Sequence, residues 1–275
     1  MEQSNLINED LEIQILLENI FCEYGYDFRN YSRTHIKRRI LHRISIESKI
    51  NSISEMTKKI LNDKKFFKVV LQDFSICVTE MFRDPLIYKN VRKNIIPILK
   101  NKEHIKIWDA GCATGEETYS LAILLKEEGI YNKTEIFATD FSKIALNTAE
   151  EGIYPARKIK KYAENYHEAG GTKVFSDYYR MKSDHVIMDK SLRERIIFFE
   201  HNLASSSSFD FMDFIICRNV LIYFSKELQN QVVTFFGNSL VDKGILWIGS
   251  RESFKYLNCN KYFKPIDSVN NIYVK

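Results

Sequence analysis

Ile105-Lys106-Ile107-Trp108-Asp109-Ala110-Gly111-Cys112-Ala113-Thr114-Gly115-Glu116-Glu117 is the stretch on which the fold turns. An apolar, β-prone run ends in an acid, passes two glycines in GxxxG spacing and enters a helical pattern at Glu116. A strand feeding a glycine turn and then a helix is how an open α/β sheet forms a pocket for a nucleotide-like ligand. Gly111 and Gly115 let the backbone approach that ligand where a Cβ would collide. The turn is not a phosphate cradle. It matches neither GxxxxGK[ST] nor GxGxxG, and Glu116 and Glu117 stand where a pyrophosphate would dock. A cationic, phosphate-free adenosyl ligand suits it, and S-adenosylmethionine is the candidate.

Downstream of this turn the pattern alternates. Strands are predicted at 105–109, 135–140, 195–200, 212–217 and 244–249, with helices at 116–128, 142–150, 226–240 and 253–257. Such alternation implies a mostly parallel sheet covered on both faces. A terminal hairpin is read at 264–266 and 271–274. Residues 155–190 break the rhythm with a Gly170-Gly171 turn and many tyrosines, and read as an inserted subdomain or lid. The serines at 205–208 read as a surface loop.

Upstream, residues 1–75 hold one glycine, no proline and helical periodicity. Leu11, Ile15 and Cys22 mark one helix; Ile36, Ile40 and Ile44, with Leu41 beside them, a second; Ile53, Met56, Ile60 and Leu61 a third. This is a small all-α domain. Residues 76–98 form a linker and connecting helix, opened by Asp84 as N-cap with Pro85 at the first helical position. Residues 99–275 make the α/β domain.

With 45% apolar and 28% charged residues the chain is an ordinary globular protein, and its net charge of +4 is too small for bulk nucleic-acid binding. Arg29, Arg33, Lys37, Arg38, Arg39, Arg43 and Lys49 face one acid, Glu47, in a short basic window. A solvated face or an acidic partner both explain it. The absence of interleaved aromatics argues against nucleic acid. Five scattered cysteines without a CxxC suit free thiols in a reducing cytoplasm. The first residues read as no signal peptide, and no apolar run of about 18 residues predicts membrane insertion. The histidines show no HxxxH or HxH pair, so no metal site is predicted. A monomer is the default.

Several residues carry candidate chemistry. Asp140 closes the second strand and suits a ribose diol, although a helix N-cap at Asp140 or Ser142 competes. One of Glu116 and Glu117, preferentially Glu117, suits the ammonium of a methionyl group, while the helix dipole alone accounts for an acid there. Arg218 and Asn219 leave the end of an apolar strand, and Tyr223-Phe224 follow, as the rim of an active site or as a capped core strand. Arg83 sits one turn after Thr79, placed as a fork for a carboxylate.

Together these segments resemble the CheR family of chemotaxis receptor methyltransferases. The carriers are Thr79-Glu80-Met81-Phe82-Arg83-Asp84, Ala110 to Glu117 with Tyr119-Ser120, Ala138-Thr139-Asp140, His201-Asn202-Leu203 and Cys217 to Phe224. The resemblance implies an all-α N-terminal domain before a Rossmann-like methyltransferase domain with a small β-subdomain. It implies methyl transfer from S-adenosylmethionine to glutamates in the acidic methylation region of chemoreceptor cytoplasmic domains, leaving S-adenosylhomocysteine. By motif, Thr79, Arg83, Glu117, Asp140, Asn202, Leu203, Arg218 and Asn219 would hold the cofactor. Tyr223 would lie near the reacting methyl, and the helix of Arg38, Arg39 and Arg43 would face the receptor. Where many members carry asparagine, this chain has Cys77. A methyltransferase acting on another protein or a nucleic acid, and a catalytically silent signalling scaffold, are the competing readings.

Overall fold

The computed structural model describes residues 2–75, 79–205, 209, 211–252, 254 and 261–275, with side chains from residue 8 onward. Cys77, most of the expected helix at 253–257 and most of the serine loop lie outside these residues. The chain forms two compact units. One comprises residues 1–76 together with Leu221–Val232, and the other comprises Cys77–Val220 and Val233–Lys275.

The first unit holds helices α1 (Glu2–Tyr24), α2 (Arg33–Ile46), α3 (Ile53–Asn62) and α4 (Lys64–Phe74). Ser52 caps α3 by accepting from Glu55 N, and Asp63 caps α4 by accepting from Lys65 N and Phe66 N. The apolar stripe read for α1 is reversed. Leu11 and Ile15 are about half exposed, and Ile13, Leu16, Leu17 and Ile20 form the buried face. Apolar residues at 11, 13, 15, 16, 17, 20 and 21 occupy more than one helical face, so spacing alone chose wrongly. Each Ile or Leu turned inward stabilises by about 1.5–3 kcal/mol. Leu41 and Leu61, read as part of the α2 and α3 stripes, are exposed, while Ile36, Ile40, Ile53, Met56 and Ile60 are buried.

Most of the basic window is neutralised inside this unit. Arg29 pairs with Asp27 and Glu18, Arg33 with Asp10, and Lys37 with Glu9. Arg43 forms a two-pronged bridge to Asp73 of α4, Nε–Oδ2 2.5 Å and Nη2–Oδ1 2.7 Å, with both side chains largely buried. Arg43 therefore braces α2 against α4. Arg43→Ala is expected to lower stability by about 1.5–3 kcal/mol, the range for hydrogen bonds to a charged group. Urea unfolding of the full chain measures it, and an unchanged midpoint would show the brace to be idle. The segment 221–232 joins this unit by a bridge between Tyr31 and Phe224, by Ser32 N donating to Tyr223 O (2.7 Å) and by Ser225 N donating to Asn30 O (2.9 Å).

In the second unit, α5 (Pro85–Asn94) and α6 (Ile96–Lys100) precede β1 (Ile105–Ala110). Then follow α7 (Glu116–Glu127), β2 (Thr134–Asp140), α8 (Lys143–Glu151), β3 (Ile153–Pro155), α9 (Ile159–Glu168), β4 (Tyr179–Lys182) and β5 (His185–Met188). The chain continues through β6 (Ile196–Glu200), β7 (Met212–Cys217), α10 (Lys226–Ser239), β8 (Leu240–Ile248), β9 (Lys264–Asp267) and β10 (Ile272–Val274). The main sheet runs β6-β2-β1-β7-β8-β10-β9. Its first five strands pair in parallel, and β10 and β9 close the far edge as an antiparallel hairpin. A separate antiparallel sheet, β3-β5-β4, lies within the 153–188 stretch. Trp108, Phe214, Ile216 and Trp247 are fully buried on the central strands.

The strand order reverses between β1 and β7, the place where open α/β sheets bind ligands beyond their strand carboxyl ends. Two loops leave from that place, one from Ala110 and one from Cys217.

Candidate active site

Asp140 holds the glycine loop in shape. Gly111 N and Cys112 N donate to Thr139 O, at 2.8 and 2.9 Å. Ala113 N donates to Asp140 Oδ2 (3.0 Å) and Ser142 N to Oδ1 (2.8 Å). The N-cap of α8 is Ser142, whose hydroxyl accepts from Ala145 N. Asp140 is 8% exposed, and burial lifts its carboxyl above the usual range although three backbone amides oppose the shift.

The glycines answer to the protein's own packing. Gly111 has φ +86°, and a Cβ there would fall 2.4 Å from Val220 Cγ2. Gly115 has φ +87°, and its Cβ would fall 2.7 Å from that of Ala149. Both positions exclude a side chain by sterics within the fold itself.

The two glutamates after the loop part company. Glu116 is fully buried and accepts from Tyr162 Oη (3.0 Å), Lys158 Nζ (3.1 Å) and Thr114 Oγ1 (2.5 Å). Its charge is spent on α9 and the turn before it. Tyr154 of β3 adds a bond from Oη to Thr114 O (2.7 Å), so the small sheet and the loop are stitched together. Glu117 points to the reversal of the sheet, where its Oε1 accepts from Tyr88 Oη (3.1 Å) and from Arg218 Nη1. Among the described residues both of these donors land on Oε1.

Arg218 gathers the site. Its side chain is fully buried, pairs with Asp84 Oδ2 (2.6 Å) as well as Glu117, and donates to Arg83 O (3.2 Å). Asp84 occupies the N-cap position of α5 in the left-handed region, φ +58°, but its side chain makes no cap bond there. The carboxylate goes to Arg218 instead. Thr79 and the Arg83 side chain are half-buried beside this cluster in sequence. His201 N donates to Asp140 O (3.0 Å), which sets Asn202 and Leu203 beyond β6 next to the loop. Leu203 is buried, and Asn202 Oδ1 accepts from Ala204 N. Asn219 turns the corner after β7 with φ +60°.

Tyr223 and the three arginines belong to the helical unit. The Tyr223 ring meets His35 edge-on at 5.2 Å. Arg38 is exposed, Arg39 half-buried and Arg43 committed to Asp73.

Sequence reasoning passed over Asp109, whose only signal was an acid closing an apolar strand. It is 2% exposed and accepts from Thr118 Oγ1 at 2.5 Å. Burial pushes its carboxyl well up, and the charges of Glu117 and Asp140 add to this, against Thr118 and Arg218. Tyr88 and Cys217 also face it. A carboxyl raised in the folded state supports folding fully below its ordinary value near 3.9, and that support is lost as pH climbs through the raised value. Asp109→Asn is therefore expected to raise the melting temperature of the cofactor-free protein at pH 8 and to gain progressively less towards pH 5. Thermal melts across that range check it; a gain that grows on acidification would refute it.

Asp84 and Glu117 are thus paired with Arg218, and two further buried acids, Asp109 and Asp140, have their carboxyls raised by burial. Such a pocket repels pyrophosphate and suits a ligand bearing a sulfonium and an ammonium. The fold and this site define a nucleoside-binding α/β protein for a cationic cofactor. The chain matches the CheR methyltransferase all-alpha domain over residues 11–75 and the CheR methyltransferase SAM-binding domain over residues 77–272. It belongs to the CheR methyltransferase family, and S-adenosylmethionine is its cofactor. It is 43% identical to "Putative methyltransferase Cher3" of Pseudomonas putida, over 98% of both chains. It is 30% identical to a chemotaxis protein methyltransferase of Listeria innocua, over 84% of this chain and 85% of that one. A protein of the same name from Borreliella burgdorferi is 27% identical, over 92% of both. Among the described residues no helix is long and apolar enough to cross a membrane.

Proposed function

We propose that this chain is a protein-glutamate O-methyltransferase that esterifies glutamates in the acidic, cytoplasmic methylation region of chemoreceptors. The observation that carries the reading is the near full-length likeness to relatives named chemotaxis protein methyltransferase. The surface of α2 adds to it. Among the described residues Arg38 and Arg39 have no ion pair, and Arg33, Thr34, Lys37, Arg38 and Leu41 line a groove of about 390 Å³. An acidic helix suits that surface.

The acceptor needs no general base, because a glutamate with an ordinary pKa near 4.3 is already ionised at pH 7. When bound, S-adenosylmethionine supplies a methyl on sulfonium; the C–O bond forms as the C–S bond breaks, and S-adenosylhomocysteine leaves. The protein's part is alignment, worth roughly 7–11 kcal/mol of barrier. Glu117 Oε2 takes the ammonium, and Asp140 with Asn202 and Leu203 takes the adenosyl end. Arg218 and Asn219 wall the pocket. Thr79 and Arg83 would orient the methionyl carboxylate, and Tyr223 is assigned to the methyl by its place in the Cys217–Phe224 motif. Charge is annihilated as the methyl moves, so a dry pocket favours the step. A guanidinium bound tightly to the attacking oxygen would hold back the ground state.

Methyl-labelled cofactor incubated with the protein and membranes of the source cells tests this. Alkali-labile label mapping to receptor glutamates is the expected result; alkali-stable label, or label on nucleic acid, would displace it. Charge reversal at Arg38 and Arg39 is expected to cut receptor methylation at least tenfold while S-adenosylhomocysteine affinity stays level. A parallel fall in both would make the α2 face structural.

A further inference from the structure

We propose that Glu252, in the loop after β8, is a positioning residue that sets the cofactor-facing corner after β7. The inference rests on cofactor binding alone and is independent of which acceptor is methylated. Glu252 is 5% exposed. Its Oε1 accepts from Val220 N at 2.9 Å, and its Oε2 accepts from Asn219 N (3.1 Å) and Gly249 N (2.5 Å). One buried carboxylate thus satisfies three amides at two strand ends. A strand-to-loop corner leaves such amides without sheet partners, and a buried amide without an acceptor is costly.

The corner it holds is a strained one. Asn219 is at φ +60°, a region a non-glycine residue keeps only when its surroundings enforce it. The carboxylate supplies that enforcement, because it holds the amides of both Asn219 and Val220 with Asn219 in this conformation. Two consequences reach the pocket. Arg218, the residue before, is aimed at Glu117 and Asp84. Val220, the residue after, packs against Gly111 so tightly that no Cβ fits between. Glu252 therefore sets both the guanidinium that fixes Glu117 and the side chain that backs the glycine loop.

The backbone that carries the carboxylate is itself held. Asn271 Nδ2 donates to Gly249 O and to Glu252 O, both at 2.9 Å, and Ile248 N donates to Asn271 O (3.1 Å). Gly249 is required beside it, since a Cβ there would lie 2.6 Å from Glu252 Oε2 and 2.8 Å from Asn219 N. The terminal hairpin thereby reaches the cofactor corner through one acid.

Glu252→Gln keeps the size but turns an NH2 toward an amide N–H. Titration calorimetry with S-adenosylhomocysteine on the full chain, beside a thermal melt, reads the effect. The expected result is a folded protein with unchanged stoichiometry and affinity weaker by roughly ten- to a hundredfold, the loss of one or two hydrogen bonds to a charged group. In the methylation assay KM for the cofactor rises by a similar factor while kcat at saturation stays within about threefold. Glu252→Asp keeps the charge but shortens its reach to the three amides, and is expected to weaken binding as well. A folded Gln variant with wild-type affinity overturns the proposal, as does one that loses binding sites while the remaining sites keep their affinity. Should Glu252→Gln fail to fold, Glu252→Asp decides: weaker binding supports the assignment and wild-type binding overturns it.

Discussion

Arg218→Met is expected to lower the unfolding free energy by about 3–5 kcal/mol, the cost of removing one partner from a buried ion pair. The guanidinium has no exposed surface, lies 4.5 Å over Trp247 and 5.8 Å from Tyr88, and ties Asp84 and Glu117 to the carbonyl of Arg83. Burial works against its charge, yet Glu117, Tyr88 and Asp84 hold its pKa above the ordinary value. Methionine fills the volume but strands those carboxylates beside Asp109, which is already disfavoured as an anion. Lysine does not rescue, because one ammonium cannot span the two acids and the carbonyl that the planar fork reaches. Urea unfolding of the two variants gives the answer. A loss under 1 kcal/mol would mean that the acids find other partners and that Arg218 does not gather the site.

Gly111→Ala is expected to cost about 2–6 kcal/mol and to abolish measurable cofactor binding. Two terms add: a left-handed backbone at φ +86°, worth about 1–3 kcal/mol, and overpacking against Val220 Cγ2, worth about 1–3 kcal/mol. They separate in a double-mutant cycle. Val220→Ala alone costs a modest cavity, but in the Gly111→Ala background it removes the clash and returns about 1–3 kcal/mol, leaving only the backbone term. Strict additivity of the two substitutions would show that the methyl groups never meet.

The strands were readable because each is a short apolar run with clear ends: 212–217 matches Met212–Cys217 residue for residue, and 105–109 falls one short of Ile105–Ala110. The face of α1 was not, since its apolar residues satisfy two helical stripes and only packing chooses between them. In α2, Arg43 reads as one more basic residue in a charged run; its partner Asp73 stands 30 positions on, in a helix whose acid belongs to no motif. The glycine loop announced itself through spacing, but the pressure of Val220 and Ala149 on it from other elements is tertiary. Glu252 was invisible for a sharper reason. It serves backbone amides some 30 residues earlier, and backbone amides leave no mark on the residue types around them.

The helical unit is discontinuous, because it recruits Leu221–Val232 from far along the chain, and α10 begins in it and ends in the other unit. The gene therefore has no seam at which the two halves can be exchanged. A chimera joined after residue 76 would pair a foreign 221–232 segment with the resident Tyr31, Ser32 and Asn30, while a fragment starting at residue 77 would carry that segment with no host. Swapping one unit between family members calls for more than one crossover, the last inside α10.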